Sequence, residues 1–179
     1  AFYDYCKKNK IIAEFTRFHP ILQNQNFSKD YMTVLFDRQT VLIDLLNSYE
    51  HIWKFEYSSN NRNMIKKAQK SGLKVEIIRN PNEENIEEFI SIYSETMNRV
   101  KAESYYFFNN DFFYNTFKLL KDYVFLANVV QNNDIVSSTI FLQYGKYLHY
   151  HLSGRTYKAD NTVNNFLIDS IVKYGQELG

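Results

Sequence analysis

Between Val124 and Leu152 three apolar runs, Val124 to Val130, Ile135 to Leu142 and Tyr147 to Leu152, follow one another with only short polar connections at Asn132-Asn133-Asp134 and Gly145-Lys146. Runs of this length, rich in β-branched and aromatic residues, read as strands, and the connections suit hairpins. The spacing therefore predicts an antiparallel sheet. Around it the apolar period turns helical over Tyr49 to Phe55 and over Asn60 to Lys70, where Ser71-Gly72 supplies a stop. A helix is expected from Glu83 to about Lys101, with Ile86, Phe89, Ile90, Tyr93 and Met97 on one buried stripe. Further helices are expected over Asp111 to Leu120 and Asn165 to Leu178, and a strand over Val75 to Ile78, broken by Asn80-Pro81. Nearer the start, Phe2 to Lys8 reads as helix, Ile11 to Phe18 as a strand ending at Pro20, and Leu22 to Lys29 as loop. Met32 to Phe36 and Thr40 to Asp44 read as two short strands split by a tight hairpin at Asp37-Arg38.

The chain has 179 residues, 45% of them hydrophobic, enough for a sizeable core. Fifteen Tyr and fifteen Phe against five Gly and two Pro indicate long regular elements and aromatic packing. A formal net charge of +1 gives no whole-molecule case for nucleic acid. One cysteine, Cys6, excludes an internal disulfide framework and a zinc cluster, and no metal ligand set is recognised. Together with the lack of an apolar run of about eighteen residues or a secretion signal, this points to a cytoplasmic protein, extending to the inner face of the membrane. The common nucleotide, zinc-protease and hydrolase motifs are missing from the sequence.

Charge is more informative locally. From Lys54 to Arg79 seven basic residues stand against two acidic ones, and from Asn82 to Glu103 six acidic against two basic. Arg62, Lys66 and Lys70 lie one turn apart on the expected helix, a row that either meets phosphates or forms a solvated face. In the run HYHLSG (His149 to Gly154) alternation places Tyr147, His149, His151 and Ser153 on one face of the strand and Leu148, Tyr150 and Leu152 on the other. Either histidine is a candidate general base, because a neutral imidazole accepts a proton near pH 7; substrate contact or a satisfied structural role are the alternatives. Arg99 and Tyr105 are candidate ligand contacts, with core packing favoured for Phe107 and Phe108.

Five segments taken in order, EFTRFHP (Glu14 to Pro20), TVLIDL (Thr40 to Leu45), NRNMIKKAQKSGLKV (Asn61 to Val75), IYSETMNRVKAESYYFF (Ile92 to Phe108) and HYHLSG followed by Asn164-Asn165, resemble the Fem-type branch of the GNAT acyltransferase superfamily. The resemblance implies an α/β fold with a mixed, largely antiparallel sheet flanked by helices, in proteins usually built from two such units. Residues 1–45 would then hold the end of a first unit and shared strands, and residues 46–179 a second unit cut short at its C-terminus. It also implies transfer of an aminoacyl group from aminoacyl-tRNA, or of an acyl group from a thioester, onto an amine of a peptidoglycan precursor. Arg62, Lys66, Arg99, Tyr105, Tyr147 and Ser153 become candidate substrate contacts, and Arg155, Asn164 and Asn165 candidate donor contacts.

One departure bears on the donor. Coenzyme A-dependent GNAT enzymes hold the donor's pyrophosphate on a glycine-bearing loop, whereas Arg155 to Asn165 contains no glycine. This favours an aminoacyl-tRNA donor, held by its acceptor end, or an unusual acyl donor, over ordinary acetyl-CoA. Two alternatives stay open: a coenzyme A-dependent N-acyltransferase acting on a sugar amine in polysaccharide synthesis, and a non-catalytic binding half-domain. Donor, acceptor and oligomeric state are not set by the sequence.

Overall fold

A computed structural model describes residues 2–179, which form two compact units with a boundary between Leu42 and Ile43. In the first unit, α1 (Phe2–Lys8) and a 3-10 turn (Asn24–Phe27) are the regular elements, and no described residue is buried. The strands expected over 11–18, 32–36 and 40–44 do not form; these residues carry no ladder. Alternation supplies only the propensity of a strand, and a strand exists through a partner's hydrogen bonds, which no segment here provides.

The second unit is a three-layer sandwich. A short helix, α2 (Tyr49–His51), widens into a π turn (Ile52–Glu56) and is followed by α3 (Ser59–Lys70), β1 (Lys74–Ile78), α4 (Glu83–Arg99) and α5 (Asn110–Leu120). Then come β2 (Val124–Gln131), β3 (Asp134–Tyr144), β4 (Tyr147–Arg155) and α6 (Val163–Leu178). The sheet order is β1-β2-β3-β4 and every neighbouring pair is antiparallel. This is the antiparallel sheet flanked by helices that the sequence predicts, and it is compatible with the GNAT-like fold.

Local chemistry explains the punctuation. Asn82 and Asn85 form a reciprocal capping box that starts α4, and Ser58 with Asn61 does the same for α3. Gly72, at φ +76°, takes the left-handed conformation that stops α3. Asn132 and Asn133 both have positive φ, 52° and 67°, as a two-residue hairpin between right-twisted strands requires.

The layers follow from alternation along β2. Phe125, Ala127 and Val129 join Ile65 and Ala68 of α3 and Leu167 and Ile171 of α6 in one core. Val124 and Leu126 join Ile86, Phe89 and Tyr93 of α4 and Phe113 and Phe117 of α5 in the other. Phe89, fully buried in the second core, contributes about 2 to 3 kcal/mol by leaving water. Covered on both faces, β2 reads as an unbroken apolar run. At the edge, β4 has helices over both faces but one open side, and candidate residues concentrate there.

Candidate functional site

The C-terminal half of β4 is clasped by α4. A Cβ added to Gly154 would lie 2.7 Å from the backbone N of Tyr93 and 2.8 Å from the carbonyl of Ile92, so glycine is what lets the helix come this close. Thr96, one turn on, meets the next residue of the strand. Its Oγ1 accepts from the Arg155 amide at 2.8 Å, and its own proton lies between the carbonyl oxygens of Arg155 and Ile92, each 3.0 Å away. Arg99 Nη2 donates to the Arg155 carbonyl at 2.8 Å while Nη1 pairs with Glu95 at 3.3 Å. Glu95 in turn accepts from the Tyr157 amide at 3.0 Å. Three side chains of α4 thus act as a substitute strand for Arg155 to Tyr157, and set how the chain leaves the sheet for α6.

In the N-terminal half the expected polar row is corrected. Ile140 faces Leu152 and Phe141 faces Tyr150, which leaves His151 as an extra residue in a bulge. The extra residue reverses alternation beyond it. His149 sits opposite Leu142, which packs on the α4/α5 core, whereas Ser153 sits opposite Thr139, in register with Ala127 of the α3/α6 core. Tyr147, His149 and Ser153 therefore do not share one face, and Tyr150 and Leu152 do not share the other. Ser153 Oγ is bonded to Thr139 Oγ1 at 2.7 Å.

The two imidazoles remain neighbours, with ring centres 5.7 Å apart; His149 is exposed and His151 half-buried. Burial first, and the charge of His149 second, hold His151 below the ordinary histidine value. It is neutral at pH 7 and able to accept a proton there. Tyr147, two residues before His149, has Lys146 Nζ 5.7 Å from its ring centre.

The start of α6 lies along the same strand. Tyr150 donates to Asn164 Oδ1 at 3.3 Å, and Asn165 Oδ1 accepts from Asn61 of α3 at 2.7 Å. No residue from 155 to 163 has a positive φ. Arg62 leaves the basic row: its Nη1 donates to the carbonyls of Trp53 at 3.1 Å, Lys54 at 3.4 Å and Tyr57, closing the end of the π turn. Lys66 lies 5.9 Å from the Trp53 ring centre, and Lys67 is 3.6 Å from Asp160. Tyr105 is exposed, and its ring lies against that of Tyr106 with centres 4.2 Å apart and planes tilted by 46°.

Several residues that matter here escaped the sequence reading. Thr96 and Asp160 are one kind, exposed-looking polar residues whose partners include backbone groups. Asp169 is another: wholly buried on α6, it accepts from Tyr49 at 2.8 Å and from Lys173 at 2.8 Å. Burial, then Asp169, pushes the Tyr49 hydroxyl well above its ordinary range, so it stays a donor. Gln176 reaches the carbonyls of Leu45 and Asn47, at 3.3 Å and 2.6 Å, and the segment before α3 is thereby tied down along α6. The available signal was an aspartate interrupting the apolar face of the last helix.

No curated protein matches this sequence. Among solved structures, FemX superposes with a TM-score of 0.64 at 12% identity, over 75% of this chain and 49% of that one. L-PGS from Bacillus licheniformis superposes with a TM-score of 0.53 at 17% identity, over 68% of this chain and 37% of that one. At such identities the likeness is one of fold, and this chain spans less than half the length of either. The sequence itself matches the FemAB family over residues 5–161, most of its length, and the chain belongs to the FemAB family.

Proposed function

We propose that this chain is part of an N-acyltransferase that moves an aminoacyl group from an aminoacyl-tRNA to an amine of a peptidoglycan precursor. FemAB membership supports the reaction class, and FemX is among the similar structures. The observation that carries the choice of donor is the crossover from β4 to α6. A diphosphate is held by a nest of successive amides that needs a left-handed residue, and residues 155–163 contain neither a glycine nor a positive φ. A coenzyme A thioester has no such cradle here, and an aminoacyl ester does not require it.

In this reading the acceptor amine is held near β4, gives a proton to His151 or His149, and attacks the ester carbonyl. Backbone amides or a tyrosine hydroxyl hold the oxyanion, the ester bond to the ribose breaks, and the leaving hydroxyl takes up a proton. Tyr147, Ser153, Arg99 and Tyr105 are proposed on the acceptor side, with Arg62 and Lys66 of α3, and Arg155, Asn164 and Asn165 on the donor side. No helix among the described residues is long and apolar enough to cross a membrane. We place the reaction in the cytoplasm, at the inner face of the membrane.

The test offers the protein a lysine-containing UDP-linked muropeptide with either charged tRNA or acetyl-CoA, and follows label into the peptide. Transfer from the tRNA alone is expected. Transfer from acetyl-CoA would instead assign a coenzyme A-dependent enzyme, and muropeptide binding with no transfer a binding half-domain. Replacing His149 and His151 together by alanine is expected to lower turnover about a hundredfold, the lower range for loss of a general base; unchanged turnover would remove both from the mechanism.

A further inference from the structure

Arg79 follows β1 and is half-buried at the end of the sheet. Its Nε donates to the Tyr174 hydroxyl at 2.7 Å and its Nη2 to Gln143 Oε1 at 2.5 Å. The guanidinium carbon lies 4.7 Å from the ring centre of Phe125, which is wholly buried, and 5.4 Å from that of Tyr174. Two hydrogen-bond partners and two rings thus fix where the group lies and how its plane is turned. A guanidinium has five N–H donors, and these bonds use two of them; the remaining donors, both of those on Nη1 included, have no acceptor among the described residues. No carboxylate among the described residues pairs with it either. An arginine drawn partly out of water ordinarily meets a counter-charge, whereas this one is oriented without being neutralised.

Arg79 also lines a cleft of about 310 Å³, together with Asn80, Ile86 of α4, Phe117 and Lys118 of α5, and Lys121 just beyond α5. Lys118 and Lys121 are exposed, and among the described residues neither has an ion-pair partner. Glu87 accepts from the hydroxyl of Tyr114 on the cleft wall at 3.3 Å, but no carboxylate belongs to the lining itself. We propose that this cleft binds a phosphate group, held by the free N–H donors of Arg79 and drawn in by the charges of Lys118 and Lys121. A fixed, planar set of donors suits the oxygens of a phosphate, and the two ammonium groups answer its second negative charge. A carboxylate, with a single charge, would leave cations here unmatched.

The experiment titrates inorganic phosphate into the protein at low salt in mildly alkaline buffer, where the probe is a dianion, and follows the side-chain N–H resonances of Arg79 by NMR. Saturable shifts are expected. Arg79→Gln is expected to weaken binding about ten- to a hundredfold, the range for hydrogen bonds to a charged group. Lys118→Gln combined with Lys121→Gln changes only exposed side chains and is expected to weaken it about fivefold, the size of a unit charge near water. Acetate, with one charge, is expected to bind more weakly than phosphate by a similar factor of about five. Lys158→Gln, which removes an exposed lysine paired with Asp134, is the control and is expected to change nothing. A phosphate affinity that Arg79→Gln leaves unchanged while lowering stability overturns the proposal, and the arginine then only ties α6 to β3. An unchanged affinity in the double lysine variant overturns it even where Arg79→Gln does not fold, and so does an equal loss from the control. Acetate binding as tight as that of phosphate overturns the choice of ligand. None of these outcomes bears on the transfer reaction, in which Arg79, Lys118 and Lys121 have no part.

Discussion

The two halves of β4 are held in different ways, although they are one strand of nine residues. Ser153, Gly154 and Arg155 are in register with β3, Gly154 and Arg155 meet α4, and the Ser153 hydroxyl, the Gly154 carbonyl and the Arg155 amide and carbonyl are each bonded to a neighbour. Tyr147 to His151 are mostly open on their outer side, lose register at His151 and carry the two imidazoles. The first half positions and the second half presents. A rigid end next to an adaptable one is what a site needs when its frame must be fixed and its contacts must meet a ligand.

Gly154→Ala breaks the clasped half most directly. The new methyl would meet the backbone of Ile92 and Tyr93, which cannot rotate away, at 2.7 to 2.8 Å. We expect a loss of about 3 kcal/mol in denaturant unfolding, the upper part of the range for overpacking. A loss under about 0.5 kcal/mol, the scale of an ordinary surface change, would show that α4 floats on the sheet and that the contrast between the halves is overdrawn.

Thr96→Val keeps the shape of the clasp and removes its hydroxyl. The Arg155 amide then loses its acceptor, and a loss of about 1 to 2 kcal/mol is expected, with hydrogen exchange accelerated at Arg155 and not at His149. Thr96→Ser restores most of both. If exchange rose equally along the whole strand, the two halves would be one cooperative piece.

Much of this arrangement was legible in the residues because it depends on local chemistry. The connection Asn132-Asn133-Asp134 announces its hairpin, Asn80-Pro81 announces the break before α4, and the three closely spaced apolar runs announce the antiparallel order of β2, β3 and β4. What failed depends on relations between distant segments. The strands expected at 11–18 and 32–36 had propensity but no partner. The bulge at His151 is a mismatch between two strands, and neither sequence alone contains it. Because side chains alternate with a period of two, that one residue divided a polar row that looked continuous. The strand expected from the sequence stops at Leu152, short of Gly154, and nothing near that glycine names Ile92 and Tyr93 as the approaching chain.

The smallest effect tests the presenting half through pH. Burial first, and His149 second, lower the pKa of His151 from the ordinary 6.5. The folded protein therefore takes up this proton less readily than the unfolded chain. Above both values the group has no influence on stability; as pH falls through 6.5 the unfolded chain is protonated first, and stability declines until the folded pKa has been passed. A carbon-bound proton of the His151 ring should titrate with a midpoint below 6.5 in NMR. His149→Ala removes the second cause and leaves the first, so the midpoint should move only part of the way back. Full recovery would mean that the bulge does not bury the ring and that His151 is as open as His149. A midpoint unmoved by the substitution would make burial the whole cause, and the two imidazoles would then be neighbours in space without being a titrating pair, each taking up a proton independently of the other.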